Sequence, residues 1–399
     1  MIAPPSKSQS IRALAGASLC KSESIIYNYS KCDDAIASIE IIKALGSDIK
    51  YVSNDLIISG GKPEGSTLLN CVESAFCLRL FSAIASLYNY EIELTAEKSL
   101  LKRKTENIEN ILKTIGAECK TDNGYPPIKV KGPIKGGNIK IDCSKSSQLL
   151  SGLLFSLPLA MNDSTIEVTN LKSRPYIDLT LETLSKFGII IQNDKYELFK
   201  IKGGQNYHSA KINIEGDWSC ASNFLVAGAI NGEVTITNLN HYSFQGDKVI
   251  VDILKDIGAD ITNYDNSINV SSNVLNSFEF DAGDCPDLVP ILTVLACSCE
   301  GESIISDISR LAGKESSRVE IIAKELISLG GILRFDGDRM RIEKATFHGG
   351  RVNSHGDHRI AMALAVAGLN GSAPITIENT ECVSKSYPGF WSDIELLSQ

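Results

Sequence analysis

Four stretches of the 399-residue chain set hydroxyl, cationic and acidic side chains directly before apolar runs of helical spacing. Ser6-Lys7-Ser8-Gln9-Ser10-Ile11-Arg12 surrounds one helix start with two cations and three hydroxyls. Asp142-Cys143-Ser144-Lys145-Ser146-Ser147-Gln148 opens a second, followed after a strand by Ser173-Arg174-Pro175-Tyr176. Asp284-Cys285-Pro286-Asp287 opens a third, and downstream of it Gly313-Lys314-Glu315-Ser316-Ser317-Arg318 would set Lys314 and Arg318 on one helical face at i, i+4 spacing. Ser354-His355-Gly356-Asp357-His358-Arg359 opens the fourth. A helix N-terminus presents unpaired N–H groups and the positive end of the dipole, so each start suits an anion. Serines beside a cation fit a phosphate monoester, and Asp, Lys, Glu and His are the side chains that carry protons in catalysis. The same serines would serve equally as plain helix caps, and the charged turns as solvated surface. His355 and His358 lack a third ligand at metal spacing, so no metal site is expected.

The elements that must hold these starts repeat along the chain. Helical runs ending in glycine occur at Ile41–Gly46, Ile111–Gly116, Leu184–Gly188, Ile253–Gly258 and Leu326–Gly330, with the glycines 70, 72, 70 and 72 residues apart. Only glycine adopts cheaply the left-handed backbone that closes a helix there. A sixth glycine would fall near position 402, and Ile394–Leu397 matches the segment before it. A second set of helices, starting near Ser8, Ser74, Ser146, Cys220, Asp287 and Asp357, is apolar on nearly every side, as in Leu149–Ala160, Phe224–Ile230 and Met362–Leu369. Such helices are buried among others. Short strands are expected at Ser24–Tyr27, Asn138–Ile141, Ser164–Val168, Glu233–Ile236 and Ser303–Ile305. Six α/β units of about 71 residues follow from this periodicity.

The bulk numbers narrow the function classes. A chain of this length with 43% hydrophobic residues fills two cores more readily than one. A net charge of -9 and a pI near 5.2 exclude a general nucleic-acid binder, which needs a broad basic surface. No apolar stretch approaches the roughly 18 residues of a membrane span, and no secretory signal is visible, so a cytoplasmic protein is expected. The eleven cysteines, Cys297 and Cys299 included, have no disulfide or zinc spacing and read as reduced core residues.

Taken in order, Ser6-Lys7-Ser8 with Arg12, Ser146-Ser147-Gln148, Ser173-Arg174-Pro175-Tyr176, Glu215-Gly216-Asp217, Pro286-Asp287, Lys314-Glu315 with Arg318, Asp357-His358-Arg359 and Lys385 resemble the signatures of the enolpyruvyl transferase family nearly end to end. The resemblance implies two domains forming an inside-out α/β barrel, each of three βαβαββ units. One would span 7–214 and the other 1–6 plus 215–399, with the active site in the cleft between them. It also implies a monomer that transfers the enolpyruvyl group of phosphoenolpyruvate to the 5-hydroxyl of shikimate 3-phosphate, with no cofactor or metal and no nucleic-acid or membrane partner.

By the same resemblance Lys7, Ser8, Arg12, Ser146, Ser147, Gln148, Ser173, Tyr176, Asp287 and Lys314 would hold shikimate 3-phosphate. Lys7, Arg79, Arg103, Gln148, Arg318, Arg359 and Lys385 would hold phosphoenolpyruvate. Asp287, Lys314, Glu315, His358 and Lys7 would be catalytic: Asp287 and Lys314 move the hydroxyl proton, Glu315 protonates the methylene carbon and His358 orients groups around the leaving phosphate. Glu73-Ser74-Ala75-Phe76-Cys77-Leu78-Arg79 keeps only the final Arg of the family's turn, which implies reduced sensitivity to glyphosate, and Arg310 stands where the family often has Asn. A transferase acting on UDP-N-acetylglucosamine would carry Asn at the position of Ile11 and a reactive Cys in the Arg103–Asn110 stretch, and neither is present. A non-catalytic binder of shikimate-type ligands is the other alternative.

Overall fold

All five phased glycines lie in the left-handed region, with φ of +91° at Gly46, +95° at Gly116, +78° at Gly188, +106° at Gly258 and +97° at Gly330. At Gly46 the space is closed as well, because a Cβ would stand 2.4 Å from the carbonyl oxygen of Lys62. In the computed structural model, which describes residues 1–397, each glycine ends a helix and leads into a strand: Asp48–Val52, Glu118–Asp122, Ile191–Asp194, Asp260–Tyr264 and Ile332–Asp336.

The chain divides into two compact units, Pro5–Ile214 and Met1–Pro4 with Glu215–Gln399, each with its own hydrophobic core. The first unit contains α1 (Lys7–Leu19), α2 (Asp33–Ala44), α3 (Ala75–Ala85), α4 (Ile108–Thr114), α5 (Gln148–Ser156) and α6 (Arg174–Lys186). The second contains α7 (Trp218–Asn231), α8 (Ile250–Asp256), α9 (Val289–Ala296), α10 (Arg318–Ser328), α11 (His358–Leu369) and α12 (Phe390–Leu397).

Four of the six sheets share one plan. Ser24–Tyr27 pairs parallel with Lys211–Asn213 and antiparallel with Asp55–Ser59, which in turn forms a hairpin with Asp48–Val52. Strands Ile92–Thr95, Ser164–Thr169 and Glu302–Ser306 are each likewise flanked by one parallel and one antiparallel neighbour. In the second unit Ile2 bridges Thr237 in parallel, tying the N-terminal residues to strand Glu233–Thr237, and Gly350–Asn353 pairs with Ile375–Glu378. Strands such as Asn138–Asp142 and Glu233–Thr237 alternate exposed and buried residues, so one sheet face is solvated and the other covers the core.

The apolar helices fill that core. α5 buries every residue from Leu149 to Ser156, and α11 every residue from His358 to Ala367. Each side chain the size of Leu or Phe contributes roughly 2 kcal/mol by leaving water. With no polar side to place, the helices leave their N-terminal turns as the polar part of each core.

Two expectations are corrected. The run Leu149–Ala160 is not one helix: α5 stops at Ser156 and continues as a 3-10 turn over Leu157–Leu159, because Pro158 cannot donate to the α-helical ladder. Lys314 and Arg318 do not share a helical face. Lys314 has extended backbone at the end of a 3-10 turn, Ser309–Gly313, and α10 begins only at Arg318.

Candidate active site

In the first unit, side chains stitch the starts of five helices together. The Arg79 guanidinium of α3 donates to Gln148 Oε1 at the start of α5 (2.8 Å) and to the Lys104 carbonyl (2.9 Å). Arg12 of α1 donates to Thr180 Oγ1 and the Tyr176 carbonyl of α6 and to the Ser8 carbonyl, each at 2.9 Å. Its guanidinium also lies 4.3 Å over the Phe76 ring. Lys7 Nζ reaches Asp34 Oδ2 of α2 at 3.1 Å. Ser146 and Ser147 precede α5, where Ser146 Oγ accepts from Gln148 N at 3.2 Å. Ser173 takes left-handed backbone, φ +58°, directly before α6. Desolvation lowers the Arg12 pKa to about 9, slightly offset by Tyr176, and the group keeps its charge at neutral pH.

Ion pairs dominate the second unit. Arg318, 1% exposed, donates to Asp287 Oδ1 (2.8 Å), Glu315 Oε2 (2.7 Å) and Asp357 Oδ2 (2.9 Å). Asp357 caps α11 by accepting from Arg359 N at 2.9 Å, so one carboxylate fixes both a helix start and a buried cation. Lys314 Nζ stands 3.7 Å from Asp287 Oδ1, Arg359 Nη2 3.6 Å from Asp287 Oδ2, and Lys385 Nζ 3.4 Å from Glu315 Oε1. His358 is buried beside Asp357, with Nδ1 3.8 Å from Oδ1. Four cations, Lys314, Arg318, Arg359 and Lys385, thus meet three carboxylates, Asp287, Glu315 and Asp357. Burial pushes Asp287 up, but Lys314, Arg359 and Arg318 outweigh it and hold the carboxyl well below the usual range. Burial pulls Lys314 down to about 8 despite Asp287. Arg359, 4% exposed, has Nε and Nη1 buried with no hydrogen-bond partner among the described residues.

A family model described as EPSP synthase (3-phosphoshikimate 1-carboxyvinyltransferase) matches residues 1–394. The chain belongs to the EPSP synthase family. A relative from Clostridium perfringens named 3-phosphoshikimate 1-carboxyvinyltransferase is 39% identical over 99% of this chain and 95% of its own length. Another of that name, from Clostridium acetobutylicum, is 40% identical over 99% and 94%. The solved structure of EPSP synthase from Acinetobacter baumannii superposes with a TM-score of 0.83 at 25% identity, covering 100% of this chain and 94% of that one.

Of the residues singled out in this member of the EPSP synthase family, the first unit brings together Lys7, Ser8, Arg12, Arg79, Gln148 and Tyr176 through the contacts above. Ser146, Ser147 and Ser173 stand at the starts of α5 and α6 in that unit. Arg103 follows the 3-10 turn Lys98–Lys102, next to Lys104, whose carbonyl Arg79 holds. The second unit brings together Asp287, Lys314, Glu315, Arg318, His358, Arg359 and Lys385. The altered turn is held by Glu73, which accepts from Ser99 N and Oγ, and it aims Phe76 at Arg12.

Sequence reading overlooked two participants and the role of a third. Asp34 pairs with Lys7 but reads only as a first-turn acid of α2. Asp247 is buried and accepts from Ser219 Oγ at the start of α7, and no repeat position marks it. Asp357 was visible in its motif, yet its three-way role with Arg318 depends on a contact 39 residues away. Among the described residues no group of three or more His, Cys, Asp or Glu side chains could hold a metal ion, and no helix is long and apolar enough to cross a membrane.

Proposed function

We propose that the chain transfers the enolpyruvyl group of phosphoenolpyruvate to the 5-hydroxyl of shikimate 3-phosphate, releasing phosphate. The observation that carries this reading is Arg359: a buried guanidinium with two N–H groups left open, in a cluster where cations outnumber carboxylates. Buried donors are normally satisfied, so such a group suits an anionic ligand, here the phosphate and carboxylate of phosphoenolpyruvate. Family membership supplies the identity of the two substrates.

The residues divide the work. Lys7, Ser8, Arg12, Ser146, Ser147, Gln148, Ser173 and Tyr176 hold shikimate 3-phosphate, together with Asp287 and Lys314. Lys7, Arg79, Arg103, Gln148, Arg318, Arg359 and Lys385 hold phosphoenolpyruvate. The 5-oxygen bonds to C2 of phosphoenolpyruvate while its proton passes to the Asp287–Lys314 pair and Glu315 gives a proton to C3. The C2–O bond to phosphate then breaks, phosphate leaves, and C3 returns its proton, which restores the double bond. Anionic substrate competes for Arg318 and Lys385, which in the free chain both engage Glu315. That competition leaves the Glu315 carboxyl free to carry the proton. His358, beside Asp357, orients groups around the leaving phosphate.

For the architecture, the five left-handed glycines and the shared sheet plan support six βαβαββ units in an inside-out arrangement, three per domain, over 7–214 and over 1–6 plus 215–399. The experiment is phosphate release from phosphoenolpyruvate measured alone, with shikimate 3-phosphate, and with UDP-N-acetylglucosamine. Release only with shikimate 3-phosphate is expected. Release with the nucleotide sugar, or with neither acceptor, would sink the reading.

A further inference from the structure

We propose that Arg310 is a positioning residue: it ties the turn that presents Lys314 to the loop that presents Asp287, and so fixes the separation of the proton-handling pair. This rests on the reaction assigned above. Arg310 lies in the 3-10 turn Ser309–Gly313, and Lys314 is the next residue. Its Nη2 donates to the carbonyls of Ala282 (3.2 Å) and Gly283 (2.5 Å). Those carbonyls belong to the loop between strand Glu279–Asp281 and the turn Pro286–Leu288, which carries Asp287. The same loop is also tied at its strand end, by Gly283 N donating to Asp281 Oδ1 (2.7 Å) and Ala282 N to the Ser306 carbonyl (3.0 Å). A guanidinium bridging two successive carbonyls fixes a backbone, not a rotamer.

The separation matters because Lys314 Nζ and Asp287 Oδ1 are 3.7 Å apart, just beyond hydrogen-bond contact. A small shift of either segment makes or breaks the proton path. Arg310 also acts on Lys314 by charge. Burial is the largest influence lowering the Lys314 pKa; Arg318 and Arg310 lower it further, while Asp287 and Glu315 raise it. Geometry and field therefore point the same way: Arg310 keeps a lysine that gives up its proton readily next to the carboxylate that shares it.

The test uses the full chain with Arg310→Gln and Arg310→Lys. For each variant, kcat and KM are measured for both substrates. The pH midpoint of Lys314 acylation by an amine-reactive reagent is followed by peptide mass spectrometry. Arg310→Gln should lower kcat about 10- to 100-fold, the scale of a sub-ångström misplacement, with each KM within about threefold. Its acylation midpoint should rise above the value of about 8 that the native neighbours set. Arg310→Lys should restore the midpoint, since the charge returns, but not kcat, since the shorter lysine side chain does not carry its nitrogen to the Nη2 position that serves both carbonyls. A wild-type kcat with an unmoved midpoint in a folded Arg310→Gln variant overturns the proposal. So does a KM for shikimate 3-phosphate raised more than about tenfold at unchanged kcat, which would make Arg310 a substrate ligand. Should the wild-type chain release no phosphate at all, the assigned reaction falls, while the acylation midpoint, which needs no turnover, still passes or fails Arg310.

Discussion

Arg318 in the second unit touches three carboxylates, whereas Arg12 in the first, buried to a similar degree, touches two carbonyls and a hydroxyl. The same side chain is driven in opposite directions. Burial lowers both, but around Arg318 the charges of Asp357, Glu315 and Asp287 reverse the effect and raise its pKa, while Arg12, among neutral partners, falls to about 9. Neutral donors and acceptors recognise a ligand without changing protonation, so a cluster built from Ser146, Ser147, Ser173, Gln148 and Tyr176 is suited to holding a substrate. A cluster of ionised groups within 4 Å of one another passes protons and answers to added charge. On the proposed reading both units therefore contribute substrate contacts, while the proton-handling groups Asp287, Lys314 and Glu315 lie in the ionic cluster of the second.

The largest effect should come from breaking the proton path. Asp287→Asn keeps the shape of the side chain but withdraws the charge that Arg318, Lys314 and Arg359 share. A fall in kcat of about 10²- to 10⁴-fold is expected, the scale of a general acid–base group. Steady-state phosphate release checks it, and full activity in that variant would remove the second unit from proton transfer.

Next in size is a matched pair that puts the comparison itself at risk. Arg318→Met strips the shared cation from the buried Asp357 and the partly buried Asp287 and Glu315 and should cost about 3–5 kcal/mol. Arg12→Met leaves only neutral acceptors without a donor and should cost about 1–3 kcal/mol. Urea unfolding of both variants gives the order. If Arg12→Met is the more damaging, the contrast between an ionic and a neutral cluster is wrong.

The first unit's cluster was largely legible in sequence because its groups sit on helix starts that serine announces. The second unit's was legible by residue type but not by partner. Lys314 and Arg318 have the spacing of one helical face, yet the chain leaves helical backbone at Lys314, and the two side chains meet through Asp287. Asp247 could not be found at all, since a buried acid is defined by what surrounds it and nothing within its own stretch of chain marks it. The repeat was readable because a left-handed helix end is a local demand on one residue, whereas an ion pair across 39 residues is not.

Asp247 gives a pH-dependent test. Burial, reinforced by Asp287, raises it from 3.8 to about 6 even though Arg359 and Ser219 oppose the shift. The folded state therefore holds this proton more tightly than the unfolded chain does. Its contribution to stability is full below about pH 4 and is lost as pH rises through 6. The difference is about 3 kcal/mol at most, from two pKa units at about 1.4 kcal/mol each. Asp247→Asn should remove that slope, so the variant gains on the wild type between pH 4 and 7. Parallel stability curves for the two would show that the carboxyl is not held in this way.

The smallest effects belong to the glycines, and they separate stability from activity. Gly46→Ala and Gly258→Ala each force a side chain into left-handed backbone, at about 1–2 kcal/mol. The two sites differ in their surroundings. At Gly46 the new Cβ would meet the Lys62 carbonyl oxygen at 2.4 Å, a backbone atom that cannot swing aside, whereas at Gly258 the nearest atom, the Val274 carbonyl oxygen, is at 3.1 Å. Gly46→Ala should be the more destabilising of the two by thermal melting. Neither should change kcat by more than about twofold. The reason is geometric: Gly46 follows the C-terminal end of α2, while Asp34, which pairs with Lys7, lies at the other end, and 12 residues at about 1.5 Å each put roughly 18 Å between them. A glycine variant that melted normally but lost turnover would mean that the far ends of the helices, and not their starts alone, take part in the chemistry.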